Sequence, residues 1–152
     1  MDVKFTKKRA QFRMLLARLE ESIVDYQAEC NKIDLLSEQG LRAARTYRDS
    51  AIKRFELATD QFWKILKAYM EGAGLHDVQE SSPKAVTRTA ALCHIISEVE
   101  SSQLIEMIKS RNQTSHIYQE EIADELIKHT PSALALMKTI LDRLDKKIDG
   151  LQ

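Results

Sequence analysis

The stretch Ala51-Ile52-Lys53-Arg54-Phe55-Glu56-Leu57-Ala58-Thr59-Asp60-Gln61-Phe62-Trp63-Lys64-Ile65-Leu66-Lys67-Ala68-Tyr69 decides the fold class. Its apolar positions Ala51, Ile52, Phe55, Ala58, Phe62, Leu66 and Tyr69 recur at three- and four-residue steps, the stripe of an amphipathic helix. Ala44 extends the stripe upstream. Downstream, Met70-Glu71-Gly72-Ala73-Gly74 supplies glycines able to take the left-handed conformation of a helix terminus. Working outward, Phe12, Leu15, Leu16, Leu19, Ile23, Tyr26, Cys30 and Ile33 show the same spacing and predict a long first helix. The corner between the two falls between Lys32 and Gly40, where Asn31, Asp34, Ser37 and Gly40 provide turn chemistry.

Beyond a polar loop, His76 to Ser82, Ser82-Pro83 reads as an N-cap followed by proline at the first helical position, opening a short helix to about His94. Ser97-Glu98-Val99-Glu100 has the form of a capping box and starts a helix carrying Leu104, Met107 and Ile108. A last helix is predicted from near Tyr118 or Gln119. Its carboxylates Glu120, Glu121, Asp124 and Glu125 lie close to the positive end of the helix dipole. Thr130-Pro131 predicts a restart or kink. Leu134, Met137, Leu141, Leu144, Ile148 and Leu151 then give a seam suited either to bundle packing or to a dimer contact, the latter leaving room for a purely structural interaction module.

Only 4 Gly and 2 Pro in 152 residues leave too little turn-forming material for a sheet-rich fold. The expected architecture is all-α, an antiparallel up-and-down bundle of four to six helices, in one domain spanning residues 1–152. Twenty-three basic and 23 acidic side chains cancel, which excludes a global field of the histone-like or membrane-coating kind and makes any anion site local. Residues 1–18 nevertheless carry Lys4, Lys7, Lys8, Arg9, Arg13 and Arg18 against Asp2, and residues 42–54 carry Arg42, Arg45, Arg48, Lys53 and Arg54 against Asp49. This is either a basic strip for RNA or an acidic partner, or a solvated helix face. Cys30 and Cys93 belong to no zinc or Cys-x-x-Cys spacing and read as small buried thiols of a reduced protein. No signal-like amino terminus and no apolar run of membrane-spanning length is present, so a cytoplasmic location is expected.

Phosphate loops, His-Glu-x-x-His, Gly-x-Ser-x-Gly and Glu-x-x-His pairs are absent, and neither a metal nor a cofactor is expected. His76, His94 and His129 have no second ligand at helical spacing and receive no role. Cys93 and His94 point apart at i and i+1. The stretch Arg111-Asn112-Gln113-Thr114-Ser115-His116-Ile117-Tyr118 differs, placing a guanidinium, amides, hydroxyls, an imidazole and a phenol in one helix junction. On an unbroken helix Arg111 and His116 would lie about 140° apart, whereas a break lets both face one cleft. Arg111 continues the stripe of Leu104, Met107 and Ile108, and its helical neighbours offer it no acid. Plainer readings stand beside this one. Arg111 could pair with an acid of another helix, His116 with Glu120, and Tyr118 could pack on Ile122.

The string Arg-Asn-x-Thr-Ser-His-x-Tyr at 111–118 resembles the signature of the HEPN superfamily, in its nucleotidyltransferase substrate-binding subgroup, encoded beside a minimal nucleotidyltransferase. Arg54-Phe55-Glu56-Leu57, Phe62 to Tyr69 and Ser82-Pro83-Lys84-Ala85-Val86-Thr87-Arg88 match in the same order, so the resemblance spans about Tyr47 to Leu126. Ile117 departs from the Thr that relatives often carry.

The resemblance implies a toxin of toxin-antitoxin type, a metal-independent endoribonuclease whose site forms across a homodimer. It implies RNA as substrate, with neither DNA nor a membrane as partner. In that reading His116 removes the ribose 2′-OH proton, Arg111 binds the scissile phosphate through two N–H groups, and Asn112 orients the substrate or His116. Products would carry a 2′,3′-cyclic phosphate. The cognate nucleotidyltransferase acts as antitoxin by transferring AMP to Tyr118, whose added charge and bulk oppose entry of an RNA backbone. The alternative within the same family is a non-catalytic subunit that presents substrate to the nucleotidyltransferase.

Overall fold

A computed structural model describes residues 3–32, 37–75 and 82–150. The expectations for Ile33, Asp34, Leu151, His76 and most of the polar loop lie outside the described residues. Within them the chain is all helical: α1 (Val3–Cys30), α2 (Glu38–Gly72), α3 (Pro83–Leu92), α4 (Glu98–Asn112), a 3₁₀ turn (Thr114–His116) and α5 (Glu120–Asp149).

Cross-helix contacts give the directions. Phe5 meets Tyr69 and Phe12 meets Phe62, so α1 and α2 run antiparallel. Arg9 pairs with Asp145, Arg13 with Asp142 and Asp145, and Lys138 with Glu20, so α1 and α5 are antiparallel too. Arg143 of α5 reaches Glu100 at the start of α4, completing an up-and-down bundle with α3 as a short spacer. The stripes read from the sequence fill its core. Phe12, Leu16, Leu19, Phe55, Phe62 and Leu66 are at most 3% exposed, and burying each such side chain contributes about 1.5–3 kcal/mol. Leu134, Met137, Leu141, Leu144 and Ile148 are buried against this same core. That decides between bundle packing and an intermolecular seam in favour of the bundle.

Local chemistry ends and starts the helices much as the sequence predicts. Ser37 and Ser82 cap α2 and α3 through Gly40 N–H and Ala85 N–H, and Ser97 with Glu100 forms a complete capping box. Gly74 (φ +66°) closes α2, with Leu75 N–H donating to the Met70 carbonyl and Gly74 N–H to that of Glu71. The same two-bond closure ends α3, but its left-handed position is held by His94 (φ +58°). A glycine pattern could not reveal that stop.

Two expectations need correction. Of the restart or kink expected at Thr130-Pro131, the restart is not made, since α5 runs through Pro131. Pro131 has no N–H to give to the Ile127 carbonyl four residues back, and the hydroxyl of Thr130 donates to that carbonyl instead, at 2.8 Å. The cysteines, expected to be buried, are half-buried.

Glu100 also supplies a pH prediction. Two 2.8 Å bonds from Arg143 hold its carboxyl down at about 2; burial opposes this, and the Ser97 N–H assists. Because the folded value lies below the ordinary carboxylate range, its stabilisation is present above about pH 4.3 and lost as pH falls towards 2. Glu100→Gln should therefore cost ~1–2 kcal/mol at pH 7 and nothing near pH 2. Urea melts at both pH values check this; equal losses at the two would contradict it.

Candidate functional site at the α4–α5 junction

The junction is built without Gly or Pro. α4 ends at Asn112, where Gln113 N–H turns back to the Ser110 carbonyl and the buried Thr114 hydroxyl donates to the Arg111 carbonyl at 2.8 Å. A side chain thus takes up a carbonyl freed by the helix end, the role usually filled by a backbone donor. The 3₁₀ turn follows, Gln119 N–H donates to the His116 carbonyl, and α5 begins one residue later.

The sequence reading anticipated a break between Arg111 and His116, and the structure has one. Its consequence for Asn112 is negative. Helix does not continue to His116, so Asn112 and His116 are not set one helical turn apart, and Asn112 is exposed. His116 and Tyr118 come together, their rings edge to face with centroids 6.1 Å apart. Tyr118 is 75% exposed rather than packed on Ile122, and its hydroxyl accepts a 3.4 Å bond from Gln119. His116 is exposed, and its suggested partner Glu120 is engaged by Arg48.

Arg111 lies against α2. Its Nε donates to Asp60 Oδ1 at 2.6 Å and its Nη2 to Asp60 Oδ2 at 2.9 Å, with Glu56 Oε1 3.4 Å from Nη2. The bond to Asp60 raises the guanidinium's pKa, against the cost of burial, so Arg111 is permanently charged and already countered. The plainer reading of Arg111, an acid of another helix, is therefore what the structure shows. The sequence signal for it was present, since Glu56 and Asp60 are one turn apart on α2, but nothing local announced that α4 would end over them.

The basic strip is neutralised in part. Arg9, Arg13, Arg18 and Lys53 each pair with an acid. Arg48 is only 4% exposed and contacts Asp49, Glu120 and Asp124. Burial works against its charge, and the hydrogen bonds it donates to Glu120, Asp49 and Asp124 outweigh that cost. This cluster fastens the start of α5, and with it the turn bearing Tyr118, to α2. His129, given no role, pairs with Glu125 at 3.2 Å. Among the described residues there is no cluster of metal-ligating side chains, and no helix is long and apolar enough to cross a membrane.

Comparison with solved structures places this architecture among relatives. A protein from Thermus thermophilus is 31% identical over 83% of this chain and 98% of its own, with a TM-score of 0.61. A toxin-antitoxin structure with AMP-PNP is 19% identical, covering 95% of this chain and 99% of its own, with a TM-score of 0.68. A tri-AMPylated Shewanella oneidensis HEPN toxin in complex with its MNT antitoxin is 18% identical, covering 96% and 99%, also with a TM-score of 0.68. Comparison with curated proteins gives no match. The family described as nucleotidyltransferase substrate binding protein like matches residues 8–146. With that match over nearly its whole length, and the HEPN motif set in the α4–α5 break, the chain belongs to this HEPN-type family.

Proposed function

We propose that the protein is a HEPN toxin acting as a metal-independent endoribonuclease in a homodimer, and that a cognate minimal nucleotidyltransferase neutralises it by AMP transfer to Tyr118. The observation that carries this reading is the complete Arg-x4-His-x-Tyr motif in a helix break, with an exposed imidazole against an exposed phenol. In the proposed reaction the neutral His116 ring takes the ribose 2′-OH proton as that oxygen attacks the adjacent phosphorus. The P–O5′ bond breaks, the 5′-oxygen takes a proton from water, and the product is a 2′,3′-cyclic phosphate. Arg111 stabilises the charge growing on the phosphate oxygens. Asn112, exposed at the end of α4, orients the substrate.

The charge around Arg111 is balanced within one protomer. Arg111 shares its site with Asp60 and Glu56, and Lys53 lies 3.3 Å from Glu56, so one protomer presents two cations and two anions. A second motif facing the same cleft would add further N–H donors for an RNA backbone without changing that balance. The whole chain, residues 1–152, acts as one unit of that dimer in the cytoplasm. The relation to toxins solved with an MNT antitoxin supports the nucleotidyltransferase as partner.

The test is cleavage of RNA by the purified protein in EDTA, with products analysed for a 2′,3′-cyclic phosphate. Intact RNA, or cleavage only with Mg2+, would overturn the reading. The neutralised Arg111 favours one alternative, the non-catalytic subunit that presents substrate to the nucleotidyltransferase. In that case RNA stays intact while a stable complex with the enzyme forms.

A further inference from the structure

A guanidinium has five N–H groups on three nitrogens, arranged in a rigid plane. In this structure the Nε and Nη2 edge of Arg111 is closed by the Asp60 carboxylate in a two-bond fork, and Glu56 lies near Nη2 on the same side. Among the described residues no hydrogen bond from Nη1 accompanies these. Three N–H groups remain, both of Nη1 and the second of Nη2, and with Glu56 beside Nη2 it is Nη1 that is open to a phosphate oxygen. The acids sit on a helix whose register cannot slip, because Phe55, Ala58, Thr59 and Phe62 around them are at most 3% exposed. Arg111 and Asp60 keep 30% and 36% side-chain exposure, so the pair is held yet open to a ligand.

We propose that Asp60 is a positioning residue for Arg111: it grips the Nε–Nη2 edge and so presents Nη1 to the substrate phosphate. This rests on reading Arg111 as the phosphate ligand. The physical gain is preorganisation. A free arginine must give up side-chain freedom when it binds, whereas one clamped by a charge-assisted fork has given it up during folding. The clamp also removes the choice of edge, so the phosphate approaches from one direction. The opposite possibility, that phosphate displaces Asp60, requires breaking a two-bond ionic fork to make a similar one, with the released carboxylate left facing an anion.

The first arm of the test is kinetic. Asp60→Asn keeps the shape of the side chain but weakens the fork. We expect kcat to fall about tenfold or more with KM within about threefold, and thermal unfolding to change little. Asp60→Glu, which can rebuild the fork, should recover most of the rate. Arg111→Lys, with one nitrogen for both tasks, should be as slow as Arg111→Ala. Cleavage by Asp60→Asn at the wild-type rate or faster overturns the proposal.

The second arm needs no turnover. The Nε–H NMR signal of Arg111, identified by its loss in Arg111→Ala, is followed while 2′-O-methyl RNA is added, with binding read from the His116 and Tyr118 ring signals. The proposal expects binding with the Nε–H signal in place, and a displaced signal in Asp60→Asn before any RNA is present. A wild-type signal that moves to the Asp60→Asn position on binding, or no binding at all, overturns it. Protein that binds the analogue with the fork intact but leaves ordinary RNA uncut takes down the ribonuclease reading alone. Full-rate cleavage by Asp60→Asn takes down the positioning role alone.

Discussion

His116→Ala should abolish RNA cleavage measured in EDTA, a loss of at least about a hundredfold in kcat, while thermal unfolding stays that of the wild type. Both halves follow from where the ring sits. His116 is exposed beyond the end of α4, and its side-chain contact is the edge-to-face approach to the equally exposed Tyr118. Removing it opens no cavity in the core and strands no buried charge, so the fold loses almost nothing. The reaction, in contrast, loses the group that accepts the 2′-OH proton. Asn112 and Gln113 do not titrate, Thr114 is buried with its hydroxyl committed to the Arg111 carbonyl, and Arg111 stays protonated. Cleavage that persists in the mutant rules out His116 as the base.

The second large effect concerns Tyr118. Incubation with ATP, Mg2+ and the proposed cognate nucleotidyltransferase should add one or more AMP units to the intact mass, and Tyr118→Phe should gain none there. In the transfer the phenol oxygen attacks the α-phosphorus of ATP. A new O–P bond forms, the bond to the β-phosphate breaks, pyrophosphate leaves and the phenol proton is released. The structure favours this residue as acceptor because Tyr118 is 75% exposed, on a turn preceding α5 that the Arg48 cluster fastens to α2. A phosphodiester there brings negative charge within reach of His116, opposing an RNA backbone at the same place. Modified protein should therefore cleave no RNA. An unmodified wild-type protein, or AMP units added equally to Tyr118→Phe, would contradict the assignment.

The bundle was readable because its periodicities are simple. In α2, Phe55, Phe62 and Leu66 stand on one stripe, and a stripe of that width has to be buried by another helix. The capping serines Ser82 and Ser97 were equally plain, since each acts on an N–H group three residues away, whereas Ser37, read only as turn chemistry, caps α2 in the same way. Legibility failed where one residue does a job normally given to another type. His94 takes a glycine's left-handed position at a stop that the pattern placed only approximately, and Thr130 supplies the donor that Pro131 lacks, so the pattern does not mark that continuation.

The site divides in the same way. Residues 111–118 were recognisable as a motif, and the break between Arg111 and His116 was foreseeable from their polar crowding. Partners distant in the chain were not. Arg111 meets Asp60, 51 residues earlier, and Arg48 meets Glu120, 72 residues later. By itself the sequence determined helices, caps and motif, because these depend on spacings of three or four residues within one helix. Only the tertiary structure decided which charges neutralise one another and which edge of Arg111 stays open. Those depend on how helices far apart in the chain are set side by side, and Coulomb attraction and hydrogen bonding act across that separation in space.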